Sequence, residues 1–132
     1  MNHIGHENAI ITLPAGADQT NKEGYLVDVD ANEKATLIDA TTDIPFGAIL
    51  EGAAANGRSS IAVAAGGFKG TVRLKLGAAP GTIKAGTILQ TNNDGTVKAD
   101  TLSGSRVLAG QALESGVANE LIEAILFKPV VY

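Results

Sequence analysis

The stretch Thr71-Val72-Arg73-Leu74-Lys75-Leu76 alternates polar and apolar residues at every step. Successive side chains of a β-strand point to opposite faces, so Val72, Leu74 and Leu76 would line one face of a sheet. A segment rich in turn-forming residues, Gly77 to Gly81, follows immediately. The stretch therefore predicts a half-buried β-strand that ends in a turn.

The same rhythm runs along the whole chain, where 16 glycines separate short apolar segments. Turn dipeptides support hairpins at Asn56-Gly57 and Asp94-Gly95, and a further turn at Pro80-Gly81. The pattern predicts an all-β fold. The predicted strands are Ala9–Leu13, Tyr25–Asp30, Ala35–Asp39, Gly47–Gly52, Ser60–Ala64, Thr71–Leu76, Thr87–Thr91, Thr96–Asp100, Val107–Leu113 and Leu121–Phe127.

An internal repeat is visible when the chain is shifted on itself by 62 or 63 residues. Ile11 to Leu13 falls on Leu74 to Leu76, and Gly24 to Val27 falls on Gly86 to Leu89. Further matches are Gly47 with Gly110, Leu50 with Leu113, Glu51 with Glu114, and Ala62-Val63 with Ala124-Ile125. The repeat predicts two pseudo-repeated β units, at about residues 10–65 and 72–127, within one β domain of residues 9–132.

The C-terminal segment has two interpretations. Val117, Leu121, Ile122 and Ile125 would line one face of a helix as well as they fit a strand. The repeat favours the strand, because the matching Ser60–Ala64 has β character.

Composition excludes several classes of function. Aromatic residues make up 4% of the chain, with no Trp, so a stacking platform for bases or sugars lacks material. The net charge is −4 with scattered basic residues, which argues against a nucleic-acid partner. The chain has no Cys and no apolar run near the length of a membrane span. We expect a protein made in the cytoplasm, with no cofactor and no membrane or nucleic-acid partner.

One segment approaches a phosphate-binding loop. Gly52 to Ser59 matches the pattern G-x-x-x-x-G-K-[ST] except that Arg58 replaces the lysine. The motif requires a following helix, whose N-terminal amides hold the phosphates. Here a strand-like segment follows, so a hairpin loop is the better interpretation.

One acidic segment is a candidate calcium site. Asp28, Asp30 and Asn32, with Asp39 further on, mimic the positions of a calcium loop, but Glu33 stands where the sharp turn needs Gly. Acidic residues on the exposed face of an edge strand explain the same pattern. The sequence alone leaves open whether Asp28, Asp30 and Asn32 bind calcium.

No catalytic constellation can be assembled from the sequence. Glu51 and Glu114 are repeat-related carboxylates, which we interpret as equivalent loop or rim residues, because a glycosidase pair would need both in one cleft. The only histidines, His3 and His6, have no third metal ligand nearby. We therefore expect a protein that is not an enzyme.

The N-terminal residues 1–8 are predicted to form a flexible arm before the β domain. A polar start leads into Ala9-Ile10-Ile11. The segment is either a disordered tail or an extended arm that adds a strand to a partner's sheet edge.

Several units of the sequence resemble small phage capsid decoration, or cement, proteins. They are Phe46 to Glu51, Ala85 to Leu89, Gly95 to Asp100, Arg106 to Gly116 and Glu120 to Tyr132. The resemblance covers about residues 9–132 and implies a compact β-barrel or β-tulip-like fold with an extended N-terminal arm. It also implies a homotrimer on the outer capsid surface that binds and stabilises the major capsid protein. It brings no catalytic residues.

Our hypothesis from the sequence is a cement protein of the virion, made in the host cytoplasm. Its candidate capsid-contact residues are His3, Ile4, His6 and Ile10. The alternative is a head-fibre, tail or adhesin module that recognises a host surface or a glycan.

Overall fold

The computed structural model describes residues 9–65 and 68–132, and within them every regular element is a β-strand. The ten strands are β1 Ile10–Pro14, β2 Leu26–Val29, β3 Ala35–Leu37, β4 Gly47–Glu51, β5 Arg58–Val63, β6 Thr71–Lys75, β7 Ile88–Thr91, β8 Val97–Ala99, β9 Val107–Ala112 and β10 Leu121–Val131. The predicted all-β class is confirmed, and each predicted strand has its counterpart. The ambiguous C-terminal segment is a strand, and it extends to Val131.

The strands form two antiparallel five-stranded sheets with the same topology. Sheet 1 has the order β1-β5-β4-β2-β3, and sheet 2 has the order β6-β10-β9-β7-β8. Each strand of sheet 2 takes the place of the strand five positions earlier in the chain. The two pseudo-repeated β units that the sequence predicted are therefore present as two sheets.

The sheets do not close into the predicted barrel, and they stack in a sandwich-like arrangement. In each sheet the two edge strands approach at one residue pair only, the parallel bridges Ala15–Ala35 and Leu76–Val97. A barrel needs a full ladder of hydrogen bonds between its first and last strands. Each sheet curls toward closure and stops at a single bridge.

The equivalent bridges also correct the repeat alignment at its start. Ala15 corresponds to Leu76, an offset of 61 residues, so Leu13 and not Ile11 matches Leu74. Leu26 pairs with Ala48 in sheet 1 as Ile88 pairs with Gln111 in sheet 2. Leu26 therefore matches Ile88, which confirms the offset of 62 for β2, and Ala48 matches Gln111, which confirms the offset of 63 for β4. The alignment of Ile11 to Leu13 on Leu74 to Leu76 was therefore wrong by two residues. The alignment of Ala62-Val63 on Ala124-Ile125 was wrong by one, since Ala62 pairs with Ala48 as Ile125 pairs with Gln111.

Each sheet has a front face and a back face, which carry different side chains. The front face carries Leu13, Val27, Ile49 and Ile61 in sheet 1 and the equivalent Leu74, Leu89, Ala112 and Ala124 in sheet 2. The back face carries Leu26, Ala48 and Ala62 in sheet 1 and the equivalent Ile88, Gln111 and Ile125 in sheet 2.

The main core forms where the back face of sheet 1 packs on the front face of sheet 2. Leu26, Ala48 and Ala62 are fully buried in one cluster with Leu74 and Leu89. Backbone hydrogen bonds connect the sheets, since the Leu26 N–H donates to the Gly95 carbonyl at 2.8 Å and the Lys75 N–H donates to the Gly24 carbonyl at 3.0 Å. The sheets therefore stack back to front, which leaves the front of sheet 1 and the back of sheet 2 as outer faces. Lys128 and Pro129 of β10 reach the edge of the front face, where they line one cleft with Val29.

A second, smaller core lies on the front face of sheet 1. Val27, Ala35, Ile49 and Ile61 are buried there by the curl of the sheet itself. Around them stand the partly buried Leu13, Tyr25, Leu37 and Phe46. No second layer of the described chain covers this face.

Candidate functional site

The predicted capsid-contact residues fall on the N-terminal segment and on the first strand. His3, Ile4 and His6 lie outside the described residues. Ile10 begins β1, where it pairs with Ala62 of β5, and its side chain is 53% exposed. Because β1 ends the strand order of sheet 1, one of its edges has no neighbouring strand.

Part of this edge is covered by Arg58. The Arg58 Nε donates to Thr12 Oγ1 at 3.1 Å and its Nη2 donates to the Thr12 carbonyl at 3.0 Å. A charged side chain over an edge strand blocks unwanted strand pairing. The edge is left uncovered before Thr12, at Ile10 and Ile11, directly after the N-terminal segment.

The segment that approaches a phosphate-binding loop is a hairpin connection. β4 and β5 pair antiparallel on either side of it, and β5 begins at Arg58, where the motif would need a helix. Ser59 is buried, and its Oγ donates to Gln19 Oε1 at 2.7 Å and accepts the Ala53 N–H. The serine hydroxyl is thus committed to the fold and unavailable to a ligand.

The acidic segment is the β2–β3 hairpin. Asp30 Oδ1 accepts the N–H groups of Asn32 and Lys34 at 2.8 and 2.9 Å, and Asp28 Oδ1 accepts the Thr36 hydroxyl at 2.7 Å. Glu33 has a positive φ of 60°, as does the equivalent Gly95 at 84°. The carboxylates organise the turn, and among residues 9–65 and 68–132 no group of three or more His, Asp or Glu side chains could hold a metal ion.

Among the described residues, two carboxyl groups have a clearly displaced pKa, and both are lowered. Hydrogen bonds from Thr20, chiefly its side chain, lower the pKa of the exposed Asp18. Burial acts to raise the pKa of Asp100, but the Leu102 N–H and the Arg106 guanidinium outweigh it and lower the pKa. A general acid at neutral pH needs a raised pKa, so neither group suits that role.

Glu51 and Glu114, the repeat-related pair, are both exposed, at the end of β4 and in the loop after β9. The described part of the chain also has no helix long and apolar enough to span a bilayer.

The structure adds an apolar surface that the sequence did not predict. Val29 and Phe46 line two clefts of about 510 and 460 Å³. Ile44 lines the second cleft, together with Lys128 and Pro129 of β10. Val29 is 37% exposed and Ile44 is 59% exposed. Apolar strand residues carry no sequence signal that separates a covered face from an open one, so only the stacking of the sheets reveals this surface.

No protein-family model and no curated protein matches the chain. Among solved structures, the chain is similar to the N base of the head fiber gp8.5 of bacteriophage phi29, with a TM-score of 0.63. The sequences are 16% identical, and the match covers 92% of this chain and 95% of that chain. The chain has the same fold as that base, and at this identity the likeness concerns the fold.

Proposed function

We propose that the chain is a structural protein of a phage head that binds the outer surface of the shell. The observation that carries the proposal is the shared fold over nearly the whole of both chains, since the neighbouring protein is the base of a head fibre. The units that resemble cement proteins point to the same location. In this proposal the partner is the major capsid protein, the chain acts as an oligomer, and it has no catalytic activity.

The contact with the shell is assigned to the N-terminal segment and the open edge of β1. An exposed strand edge offers backbone N–H and C=O groups for strand addition, and neighbouring side chains give specificity. Ile10 lies at this edge, and residues 1–8 lead into it. Many such contacts on a lattice add up even when each is weak.

A base for a head fibre is the second candidate, and the solved neighbour favours it specifically. A cement protein binds throughout the lattice and stabilises the shell. A fibre base binds at selected points and carries another structure. The two roles therefore differ in stoichiometry and in their effect on shell stability.

The test is co-sedimentation with purified shells of the major capsid protein from the same genome, followed by heating of the complexes. For a cement protein we expect saturable binding at a fixed ratio to capsid subunits and shells that resist higher temperatures. Binding at a few copies per shell, without stabilisation, would assign the fibre-base role. Absence of binding to mature shells would refute both.

The contact is tested with the variant Ile10→Asp and a deletion of residues 2–8. Each should weaken shell binding at least about tenfold, because one buried isoleucine contributes about 1.5–3 kcal/mol and tenfold corresponds to about 1.4 kcal/mol. Leu102→Asp is the matched control, since Leu102 is an exposed apolar residue in the loop before β9. Equal binding by Ile10→Asp and Leu102→Asp would contradict the assignment.

A further inference from the structure

The front faces of the two sheets are equivalent in sequence position but differ in exposure. Val72 and Thr91 of sheet 2 are 3% and 1% exposed, whereas the equivalent Ile11 and Val29 of sheet 1 are each 37% exposed. In sheet 2, Val72 is buried in the main core with residues of the back face of sheet 1. In sheet 1, Ile11 and Val29 remain partly exposed, although Lys128 and Pro129 of β10 border the cleft beside Val29.

The back faces show the converse difference. Leu26, Ala62 and Ala64 of sheet 1 are buried against sheet 2. Their equivalents in sheet 2 are Ile88, Ile125 and Phe127, which are apolar yet only partly buried. Leu50 packs against the main core, whereas its equivalent Leu113 is 41% exposed. The back face of sheet 2 therefore keeps the apolar character of a covered face without a cover.

A pair of equivalent glycines supports the same conclusion. Gly24 and Gly86 both have positive φ, of 83° and 96°. A Cβ at Gly24 would meet Leu121 Cδ2 at 2.5 Å and the Arg73 carbonyl oxygen at 3.0 Å, both in sheet 2. A Cβ at Gly86 would meet nothing within 4 Å. The surface at Gly86 is therefore open where the equivalent surface at Gly24 is covered by sheet 2.

We propose that the chain associates with a second copy of itself, head to tail, by placing the back face of sheet 2 on the front face of sheet 1. The molecule already makes this contact once, between its own two sheets. One front face, on sheet 1, and one back face, on sheet 2, are left open on the outside of the molecule. This interface joins two different surfaces, so it leads to a ring where the rotation closes and to a filament where it does not.

The back face of sheet 2 carries larger side chains than the back face of sheet 1, and the front face of sheet 1 has space for them. Ile125 and Phe127 replace Ala62 and Ala64, which are smaller. The front face of sheet 1 has a cleft of about 510 Å³, lined by Leu13, Val29 and Phe46, that can receive larger side chains. Pro14 stands in place of Lys75 and has no N–H, so the hydrogen bond from Lys75 to Gly24 has no equivalent between chains.

The test is sedimentation equilibrium of the purified full chain without shells, so its result is independent of the proposed function. We expect the wild type to associate with rising concentration. Val29→Arg should break the front face and Ile88→Arg the back face, each weakening association at least about 100-fold, because a buried unpaired charge is costly. Val117→Arg is the matched control, since Val117 is 66% exposed in the loop before β10 and belongs to neither face.

The decisive sample is an equimolar mixture of Val29→Arg and Ile88→Arg. Each variant alone is monomeric, but the mixture has one intact front face and one intact back face, and it should form a two-chain complex of twice 13.4 kDa and no larger species. Unfolding curves establish that each variant is folded, and Ile125→Lys replaces Ile88→Arg if the latter is not.

Three results would overturn the proposal. One is a wild-type chain that stays monomeric at every concentration. That holds even if the variant lacking residues 2–8 associates, since residues 2–8 would then be the occupant of the front face in place of a second copy. Another is association that Val29→Arg and Val117→Arg weaken equally. The last is a mixture of the two face variants that remains monomeric.

Discussion

Gly110 lies where β9 approaches β10 so closely that a side chain has no room. A Cβ at this position would lie 2.5 Å from the Ile125 carbonyl oxygen, and one at the equivalent Gly47 would clash with the Ala62 carbonyl. Equivalent glycines thus permit the same close backbone contact in both sheets. Sequence comparison alone paired these two glycines correctly, although it could not show the contact that requires them.

The substitution Gly110→Ala should lower the free energy of unfolding by about 2–3 kcal/mol, because the backbone of β10 must move to admit the methyl group. Gly104→Ala is the control, since a built Cβ at Gly104 has no atom within 4 Å, and only its positive φ of 72° opposes a side chain. Strain alone should cost the control about 1 kcal/mol. Chemical denaturation measures both, and equal losses would contradict the role of the close contact.

Residue patterns predicted the strands well and two of the repeat offsets poorly, that of β1 on β6 and that of β5 on β10. The alternation in Thr71 to Leu76 is sufficient to identify β6. It cannot fix the offset between β1 and β6, because a shift of two residues leaves every side chain on the same face of the strand. That is why an alignment of Ile11 with Leu74 looked as good as the true match of Leu13 with Leu74.

At the scale of elements, the end of β10 is held to the start of β9 by one partly buried cluster. Arg106 Nε donates to Asp100 Oδ1, and both side chains are nearly buried. The Arg106 guanidinium lies 4.4 Å from the centroid of the Tyr132 ring, and the backbones of Arg106 and Tyr132 exchange hydrogen bonds. This cluster joins the loop after β8 to two strands.

Asp100→Asn should lower the free energy of unfolding at neutral pH by about 2 kcal/mol, since it leaves a partly buried guanidinium without its charged hydrogen-bond partner. The pKa of Asp100 is lowered from 3.8 by folding, so the stabilisation is complete above about pH 4 and is lost as the pH falls through the lower folded-state value. Denaturation curves of both proteins at pH 7 and in acid measure the difference. A difference that stays constant into acid would contradict the ionic origin of the effect.

Sheet closure was the element-scale feature that the sequence did not predict. The resemblance to cement proteins suggested a barrel, and the strands and turns fit one equally well. Whether the first and last strands of a sheet form a ladder depends on long-range geometry. Here the bridges Ala15–Ala35 and Leu76–Val97 are single pairs, and no local pattern distinguishes a single pair from a ladder.

At the scale of the whole molecule, the back-to-front stacking makes each sheet depend on the other. Leu26 belongs to sheet 1, yet it is buried in the main core together with side chains of sheet 2. The candidate site follows from the same stacking, because it decides which apolar faces stay open. The sequence predicted Ile10 as a contact residue from its place in the chain. It gave no sign of Val29 or Ile88, because an apolar strand residue looks alike whether covered or open.

Leu26→Ala should lower the free energy of unfolding by about 2–5 kcal/mol and leave a single transition, because the cavity lies between the sheets. Amide hydrogen exchange should show reduced protection in both sheets, in β9 as much as in β4. Ala118→Gly, in an exposed loop, serves as the reference. Loss of protection confined to sheet 1 would mean that the sheets unfold as separate units.

The connection between the two sheets has a consequence for how the protein behaves on dilution. Residues 64–70 join β5 to β6, so the back face of sheet 1 always has its partner surface a few residues away. A short tether gives an effective concentration in the millimolar range. The stacked pair therefore stays assembled in a single chain at any dilution, and every molecule delivers two units in one fixed relative orientation.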